Sequence, residues 1–476
     1  MSPETDPPPL EDPPSVAVVG GGITGLAAAH RLLEVRPEVR LTLFEATDRV
    51  GGVLETVERD GFLIERSADN FLTKTPFATA LCDRIGIGDT LIPTNEDRRR
   101  ALIVHDGRVK RTPDGFVIAA PRRLTPVLRS DLLSVAGKLR LACEPLVPAR
   151  KSDADEPVAD FVRRRLGREA LERLVQPLVG GIYTADLERL SMAATLPQFR
   201  EQERRHGSLW RANRQPGGDV SPSESGARYG AFVAPRRGMS QLIDALDDRL
   251  PDGSARKHVL VNTIKSTGRK WALAEAHDRE LGQFDGVLLA TPAAASAAIV
   301  RSLDDSLADS LASIEYASSV VVCMGYRIEQ LPALPEGFGF VVPEREGRRI
   351  LAASFASLKF PGRAPEGELL VRVFIGGALQ HELTELDDEQ LVEIAATELA
   401  ELLGARGEPR RLEVARWPTA MPQYHVGHLE RVECIDRQVS RHRGLELAGA
   451  AYRGVGVPQC IQSGEAAADR LLATLG

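Results

Sequence analysis

Apolar residues follow strand-like and helix-like spacings along this 476-residue chain. Near the N-terminus, the uninterrupted apolar runs Val16–Val19 and Leu41–Phe44 are typical of short buried strands. Between them, Leu26–Leu33 places alanine and leucine at the spacing of a helix that packs on a sheet. Far along the chain, Phe284–Thr291 again has the pattern of a buried strand followed by a turn. This order predicts a parallel sheet to which the distant strand returns.

Later segments predict a second, largely antiparallel sheet. Its strands are expected at Val320–Tyr326, Gly339–Val342, Ile350–Phe355 and Leu369–Ile375, with an amphipathic helix at Asp387–Leu403 beneath them. Ala101–Val104 and Arg108–Arg111 flank His105-Asp106-Gly107, which indicates a hairpin.

The middle of the chain has helical spacing from residue 115 to about residue 214. Helices are predicted at Leu124–Leu133, Val135–Leu146, Val158–Leu166 and Arg168–Val179. Gly180–Asp186 is expected to break the helices, and the polar stretch Arg200–Arg228 to form a flexible loop. We interpret this section as an insertion between the halves of a nucleotide-binding domain.

The first strand leads directly into a glycine motif. Gly20, Gly22 and Gly25 occupy the glycine positions of GxGxxG, and Glu45 ends the next strand twenty residues later. The glycines permit a tight turn, a close approach of backbone N–H groups to a pyrophosphate, and close packing of the helix on the strands. Because a carboxylate binds ribose hydroxyls and repels a 2′-phosphate, the motif predicts FAD or NAD rather than NADP.

The residues after Glu45 favour FAD. Arg49 and the pair Gly51-Gly52 fit the pattern E-x(3)-R-x-G-G, which resembles flavoprotein oxidases and desaturases. In this interpretation Arg49 neutralises the pyrophosphate, and the glycines let the chain pass the cofactor. Val53 stands where a basic or aromatic residue is usual.

The C-terminal stretch predicts further cofactor contacts. Arg416–Tyr424 has the composition of a Pro-broken aromatic loop, and Leu445–Gly449 that of a strand. The glycine turn Gly454–Pro458 precedes an Ala-rich helix at Gln459–Leu475. The N-terminus of that helix is expected to point into the cofactor region, where its dipole stabilises an anionic reduced flavin.

Composition and charge exclude several classes of protein. With 43% hydrophobic and 27% charged residues, the chain has the composition of a soluble globular protein of two or three domains. The net charge of −7 argues against a nucleic-acid partner. Residues 1–14 lack the features of a signal peptide and predict a disordered tail. No apolar run is long enough to span a membrane, while peripheral membrane contact stays open.

Motifs for metal or nucleophilic chemistry are missing from the sequence. The five cysteines lie far apart, which argues against a zinc site or a disulfide framework and fits a reduced, cytoplasmic compartment. His425 and His428 lack a neighbouring acid or cysteine to complete a metal site. We therefore expect the chemistry to reside on a flavin.

Six stretches carry a family resemblance along almost the whole chain. They are VVGGGITGLAAAHRL, LFEATDRVGG, VQPLVGGIYTADLERLSMAATLPQF, RRGMSQLIDAL, RWPTAMPQYHVGH and YRGVGVPQCIQSGEAA. The chain resembles the oxygen-dependent protoporphyrinogen/coproporphyrinogen III oxidases of haem synthesis, within the flavin-containing amine oxidase superfamily. The resemblance implies a six-electron oxidation of a porphyrinogen to a porphyrin, in which flavin takes up hydride equivalents and oxygen reoxidises it to give hydrogen peroxide.

The fold expected from segment order and resemblance is α/β, with a Rossmann-like FAD-binding domain, an antiparallel-sheet substrate domain and an inserted helical domain. The FAD-binding domain is expected to comprise residues 15–75, 230–300 and 431–476. The substrate domain is expected at residues 76–114 and 301–430, and the helical domain at residues 115–229.

The resemblance also implies which residues hold the ligands. The expected FAD-binding residues are Gly20, Gly21, Gly22, Ile23, Thr24, Gly25, Glu45, Ala46, Arg49, Val53, Ser67, Ala68, Asp69, Asn70, Ile264, Trp417, Gly454, Val455, Gly456 and Val457. Ser67-Ala68 replaces the Gly-Pro of the family in this loop. Arg100 is expected to pair with a substrate propionate, and Lys74 is a second candidate near the substrate mouth.

Two other functions stay open at this point. One is an FAD-dependent amine or polyene oxidase, which the single Tyr452 beside the last glycine turn disfavours. The other is a non-catalytic, flavin-stabilised porphyrin carrier. The sequence leans to coproporphyrinogen III over protoporphyrinogen IX as substrate, and leaves open the oligomeric state and a transient contact with the next haem-pathway enzyme.

Overall fold

The structure, a computed structural model, describes residues 13–118, 120–121, 124–212 and 232–475. The predicted tail lies outside these residues except for its last two, of which Pro14 accepts a hydrogen bond from the Arg40 N–H at 2.9 Å. Residues 213–228 of the predicted flexible loop also lie outside them.

A parallel sheet forms around the N-terminal strand. Within the described residues its strands lie in the order Ala255–Arg256, Arg40–Phe44, Ser15–Val19, Gly286–Leu289 and Leu445–Leu447. Val16 to Val19 pair in parallel with Gly286 to Leu289, so the distant strand does return to this sheet, as the sequence predicted. Three separate stretches of the chain therefore build one sheet.

Successive residues of the first strand face opposite sides of the parallel sheet. Val16 and Val18 belong to one apolar core, and Ala17 and Val19 to another. Because both faces are buried, the strand is apolar at every position from Val16 to Val19 rather than at alternate positions. Helices Ile23–Val35, Ser240–Asp247 and Val457–Leu475 contribute to the first core, and helices Ala293–Val300, Asp305–Ala312 and His428–Val439 to the second.

The larger sheet is mostly antiparallel, as predicted. Its strands lie in the order Arg410–Pro422, Tyr316–Arg327, Glu368–Gly376, Ala352–Phe355, Gly339–Val341, Leu102–His105 and Arg108–Arg111. Only Gly339–Val341 and Leu102–His105, among these described strands, pair in parallel. Helix Asp388–Leu403 packs on one face of this sheet, with Asp387 and Gln390 forming its capping box.

Helices dominate residues 124–212, which we call the helical section. They are Leu124–Arg129, Val135–Ala142, Val158–Arg165, Arg168–Ala170, Gln176–Tyr183, Met192–Thr195, Pro197–His206 and Leu209–Ala212, with a π-helical turn at Leu171–Val175. The helix Gln176–Tyr183 continues through Gly180 and Gly181 and ends within the predicted break Gly180–Asp186, where Thr184 caps it with a φ of +48°. One expectation was wrong here. The first part of the predicted flexible loop is helical, because Phe199 and Leu209 are buried in the core of this section.

The predicted loop at Arg416–Tyr424 is also wrong for most of its length. It continues the edge strand Arg410–Pro422, which pairs with Tyr316–Arg327. Trp417 lies opposite Ser319 and Met421 opposite Ala317, so the register shifts between these pairs. The bulge accommodates Pro418, which cannot donate a backbone hydrogen bond.

Short elements complete the described structure. The strands are Thr56–Arg59, Phe62–Glu65, Phe71–Leu72, Leu91–Pro93, Phe116–Val117, Ala120–Pro121, Phe232–Pro235, Thr263–Ser266, Trp271–Ala274 and Glu280–Phe284, and the helices are Phe77–Arg84 and Ala356–Lys359. Among the helices described, none combines the length and apolar character that crossing a bilayer requires.

Candidate cofactor and substrate site

The glycine motif forms a cradle without side chains at the carboxyl end of the central strand of the parallel sheet. Gly20 turns the chain with a φ of +101°, and Gly22 is the N-terminal cap of helix Ile23–Val35. The Gly51 N–H donates to the Gly21 carbonyl at 2.8 Å, which brings the second glycine pair against the first. A Cβ on Gly22 would meet no atom nearer than Gly52 Cα, at 4.0 Å. This open backbone at a helix N-terminus fits a pyrophosphate.

Glu45 lies buried beside this cradle at the end of its strand. Its Oε2 accepts from the Gly21 N–H at 2.8 Å, and its Oε1 accepts from the N–H and hydroxyl of Thr47 at 2.9 and 2.8 Å. Ala46 follows it on the surface. The carboxylate is thereby fixed next to the glycine turn, where the ribose of a dinucleotide is bound in this type of domain.

Arg49 is held within the second glycine loop. Its guanidinium donates to the carbonyls of Val50, Gly52 and Leu54 at 3.1, 2.5 and 3.2 Å, and pairs with Glu55 at 3.0 Å. These contacts hold the second glycine loop in shape against the first.

The loop Ser67–Asn70 is tied to the larger sheet by buried cations. Lys359 Nζ lies 3.0 and 3.1 Å from the two carboxylate oxygens of Asp69, and Arg372 Nη1 lies 3.3 Å from Asp69 Oδ2. Arg372 also donates to the Ser67 carbonyl. Burial alone raises the pKa of Asp69, but the charges of Lys359 and Arg372 outweigh it and lower this pKa to about 2. Asp69 is therefore an ionised carboxylate.

Trp417, on the bulged edge strand, contacts Arg66, the residue immediately before the loop Ser67–Asn70. Its indole N–H donates to the Arg66 carbonyl at 2.7 Å, and the Arg66 guanidinium lies 5.9 Å from the ring centroid. Val53 is exposed beside the loop, and its carbonyl accepts from the Ser67 hydroxyl.

A cavity of about 310 Å³ lies where this loop, the larger sheet and the helical section meet. The helix Gln176–Tyr183 contributes Gly181 and Ile182. The sheet contributes the apolar wall, which includes the aromatic side chains Phe338, Phe340 and Phe374. The charged lining residues are Asp69, Lys359 and Arg372. The cavity thus combines aromatic walls with a charge cluster of net +1, which suits a flat, largely apolar molecule that carries a carboxylate.

The last glycine turn lies at the N-terminus of helix Val457–Leu475. Gly454 has a φ of +148°, and its N–H donates to the hydroxyl of Tyr424 at 2.8 Å. Gly464 of this helix lies so close to Thr24 that a Cβ there would collide with the Thr24 carbonyl oxygen. The two helices that carry cofactor motifs are therefore packed backbone to backbone. Ile264, another of the predicted cofactor residues, is fully buried in strand Thr263–Ser266, where it lies opposite Leu273.

The two substrate candidates lie away from the cavity lining. Arg100 lines a separate surface pocket with Lys110 and Arg111, and pairs with Glu336 at 3.1 Å. Lys74 is exposed just after strand Phe71–Leu72.

Sequence reasoning missed Lys359 and Arg372. Arg372 is the one charge inside the apolar run Leu369–Ile375, and a charge in a strand buried on both faces requires a partner. The position of Arg372 within this apolar run could therefore have identified it as a buried charge from the sequence. Lys359 is the last residue of the short helix Ala356–Lys359, and no acidic residue beside it in the sequence marks it as one member of a buried ion pair.

Fold and site together define an α/β protein with a glycine motif typical of dinucleotide-binding domains and a separate cavity walled by the larger sheet. Residues 23–472 match the family described as flavin containing amine oxidoreductase. The chain belongs to this family and is a flavin-dependent oxidoreductase.

Named relatives match over nearly their full length. The chain is 32% identical to coproporphyrinogen III oxidase of Bacillus subtilis (strain 168), covering 97% of this chain and 98% of that protein. It is 34% identical to coproporphyrinogen III oxidase of Propionibacterium freudenreichii subsp. freudenreichii, covering 96% and 90%. A crystal structure from Exiguobacterium sp. 255-15 superposes with a TM-score of 0.85 at 30% identity, over 96% of this chain and 98% of that chain.

Proposed function

We propose that this protein is an FAD-dependent oxidase that converts a porphyrinogen to the porphyrin in haem biosynthesis, with molecular oxygen as the electron acceptor. The observation that carries the proposal is the cavity between the cofactor loop and the larger sheet, with its aromatic walls and buried cations. The near full-length likeness to proteins named coproporphyrinogen III oxidase supports the same substrate class.

The proposed FAD site uses the open backbone of the three glycine segments. Gly20 to Gly25 and Gly51-Gly52 take the pyrophosphate, and Glu45 takes the ribose. Ser67–Asn70, Trp417 and Gly454–Val457 lie along the flavin. When bound, the flavin supplies the two-electron oxidations, and oxygen returns it to the oxidised form with release of hydrogen peroxide.

In this proposal the cavity contributes binding and orientation, and Asp69 does not act as a proton acceptor. The titratable side chains that line the cavity, among the described residues, are Asp69, Lys359 and Arg372. A carboxylate whose pKa is about 2 is too weak a base to carry a proton from the substrate. The apolar walls exclude water, and formation of the aromatic ring supplies the driving force for the oxidation.

Coproporphyrinogen III is the proposed substrate, in preference to protoporphyrinogen IX. A molecule with four propionates requires cations at the cavity mouth as well as inside it. Arg100, Lys110 and Arg111 surround a surface pocket that shares Ala101 with the cavity lining. We place the protein in the reducing cytoplasm, where its five free cysteines stay as thiols.

Oxygen consumption by the purified flavoprotein tests the proposal, with coproporphyrinogen III and protoporphyrinogen IX measured in parallel and putrescine as an amine control. We expect oxygen uptake together with porphyrin fluorescence, and a higher kcat/KM for coproporphyrinogen III. Uptake with putrescine alone would favour an amine oxidase. Absence of uptake with all three, despite bound FAD, would favour a porphyrin carrier.

A further inference from the structure

Tyr424 contacts two parts of the site through different atoms. Its hydroxyl donates to the Ala450 carbonyl at 2.5 Å and accepts from the Gly454 N–H at 2.8 Å. Its own carbonyl accepts from the Ser191 N–H, in the helical section, at 2.7 Å. One buried residue thus bridges the glycine turn and the helices beside the cavity.

A neutral histidine fixes the ring of Tyr424. The imidazole of His428 stacks on the phenol ring, with centroids 3.9 Å apart and planes 13° apart. Its Nε2 lies 2.8 Å from the Tyr452 carbonyl, which can only accept, so Nε2 carries the proton. Burial lowers the pKa of His428 to about 4, so the ring is uncharged near neutral pH. Tyr424 and His428 together therefore bind three backbone groups just before and at the start of the glycine turn: the carbonyls of Ala450 and Tyr452 and the N–H of Gly454.

Neighbours of Tyr424 strengthen its connection to the helical section. The Val426 N–H donates to the Arg189 carbonyl at 2.9 Å, and Gln423 Nε2 donates to the Tyr183 carbonyl at 3.2 Å. Tyr183 is the last residue of the helix that contributes Gly181 and Ile182 to the cavity. The position of that helix is thus coupled, through the segment Gln423–His428, to the position of the glycine turn.

We propose that Tyr424 is a positioning residue that sets the glycine turn Gly454–Val457 against the flavin and couples this turn to the helical wall of the cavity. The inference rests on the proposed function in placing the turn along the flavin. The hydroxyl is essential to this role because it satisfies the N–H of Gly454, a residue whose φ of +148° favours glycine. Without it, the turn loses its link to the segment that holds the helices.

Tyr424→Phe tests the proposal, with Tyr316→Phe as the matched control. The Tyr316 hydroxyl also accepts from one backbone N–H, that of Ala293 at 2.8 Å, but it lies outside the glycine turn. For Tyr424→Phe we expect an FAD Kd raised about tenfold, since a lost hydrogen bond of this kind changes an equilibrium by about that factor. We also expect a shifted flavin absorbance spectrum, faster deuterium exchange at the Gly454 amide, and a kcat that falls more than KM changes. The control is expected to retain wild-type values.

Wild-type FAD affinity, spectrum and exchange in a folded Tyr424→Phe protein would overturn the proposal. If that variant does not fold, 3-fluorotyrosine incorporated at position 424 keeps the ring and weakens the oxygen as an acceptor. It is expected to shift the flavin spectrum and Gly454 exchange in the same direction, and no shift would again overturn the proposal. The FAD Kd, the flavin spectrum and the Gly454 exchange rate need no porphyrinogen, unlike kcat and KM, so these three readouts are independent of whether the wild type oxidises one.

Discussion

Asp69 and Lys359 form a buried ion pair between residues 290 positions apart in the chain, with Nζ–O distances of 3.0 and 3.1 Å. Asp69 belongs to the predicted cofactor loop, and Lys359 follows a strand of the larger sheet. The pair therefore fixes the loop Ser67–Asn70 to the wall of the cavity that we propose binds the substrate.

Lys359→Met is expected to destabilise the protein by about 2–4 kcal/mol, because it leaves the buried Asp69 with Arg372 as its remaining cation. Urea unfolding measures this free energy. We also expect weaker FAD retention, since the loop loses its main tie to the sheet. Lys265→Met is the matched control, as its pair with Asp278 is exposed and contributes little. Equal effects of the two substitutions would contradict the structural role of Lys359.

The contribution of this pair is expected to depend on pH with a definite sign. The pKa of Asp69 is lowered from 3.8 to about 2, so the pair stabilises the protein fully above pH 3.8 and loses this effect as the pH falls through 2. The difference in stability between wild type and Lys359→Met is therefore expected to shrink below pH 3.8. Denaturant titrations between pH 5 and the lowest pH at which both proteins fold measure it, and a constant difference would contradict the assignment.

Two glycines of the motif are expected to respond differently to alanine. A methyl group on Gly25 would collide with the Gly20 carbonyl oxygen, so Gly25→Ala is expected to cost about 3 kcal/mol or more of stability. Gly22→Ala has room in the protein itself and is expected to fold normally. Its methyl group enters the cradle, and the FAD Kd is expected to rise about tenfold or more. Thermal unfolding and FAD titration separate the two effects, and wild-type affinity in Gly22→Ala would place the pyrophosphate elsewhere.

Glu65 gives a pH dependence of the opposite sign. Burial raises its pKa from 4.5 to about 6, against the hydrogen bonds from Thr56 and the Met239 N–H. Its contribution is therefore fully present below pH 4.5 and is lost as the pH rises through 6, by about 2 kcal/mol. Glu65→Gln is expected to remove this loss, which unfolding free energies at pH 4.5 and 7 would measure. An identical pH profile in both proteins would refute the prediction.

Arg100→Ala is expected to raise KM for the porphyrinogen about tenfold without release of FAD, because a charge-assisted contact to a propionate is lost. Arg111→Ala removes the other guanidinium of the same pocket that pairs with Glu336, and a smaller rise in KM is expected there if Arg100 makes the main propionate contact. An unchanged KM in Arg100→Ala would remove this residue from the substrate site. Steady-state kinetics and the flavin absorbance of the purified variants provide the measurements.

The sequence alone determined the parallel sheet and its dinucleotide motif. Gly20, Gly25 and Glu45 are recognisable because the spacing of strand, turn and helix is a local property of the chain. The same holds for the antiparallel strands and for the helix after Asp387. The predicted domain boundaries and the ligand roles of individual residues stay predictions.

Tertiary structure alone decided which distant side chains meet. Nothing near Lys359 in the sequence shows that it pairs with Asp69, and nothing near Tyr424 shows that its hydroxyl reaches Gly454. The edge strand at Arg416 to Pro422 was missed because its composition is that of a loop, while pairing with Tyr316–Arg327 makes it a strand. Ion pairs, stacked rings and strand pairing depend on which surfaces pack together, and packing joins residues that no local pattern connects.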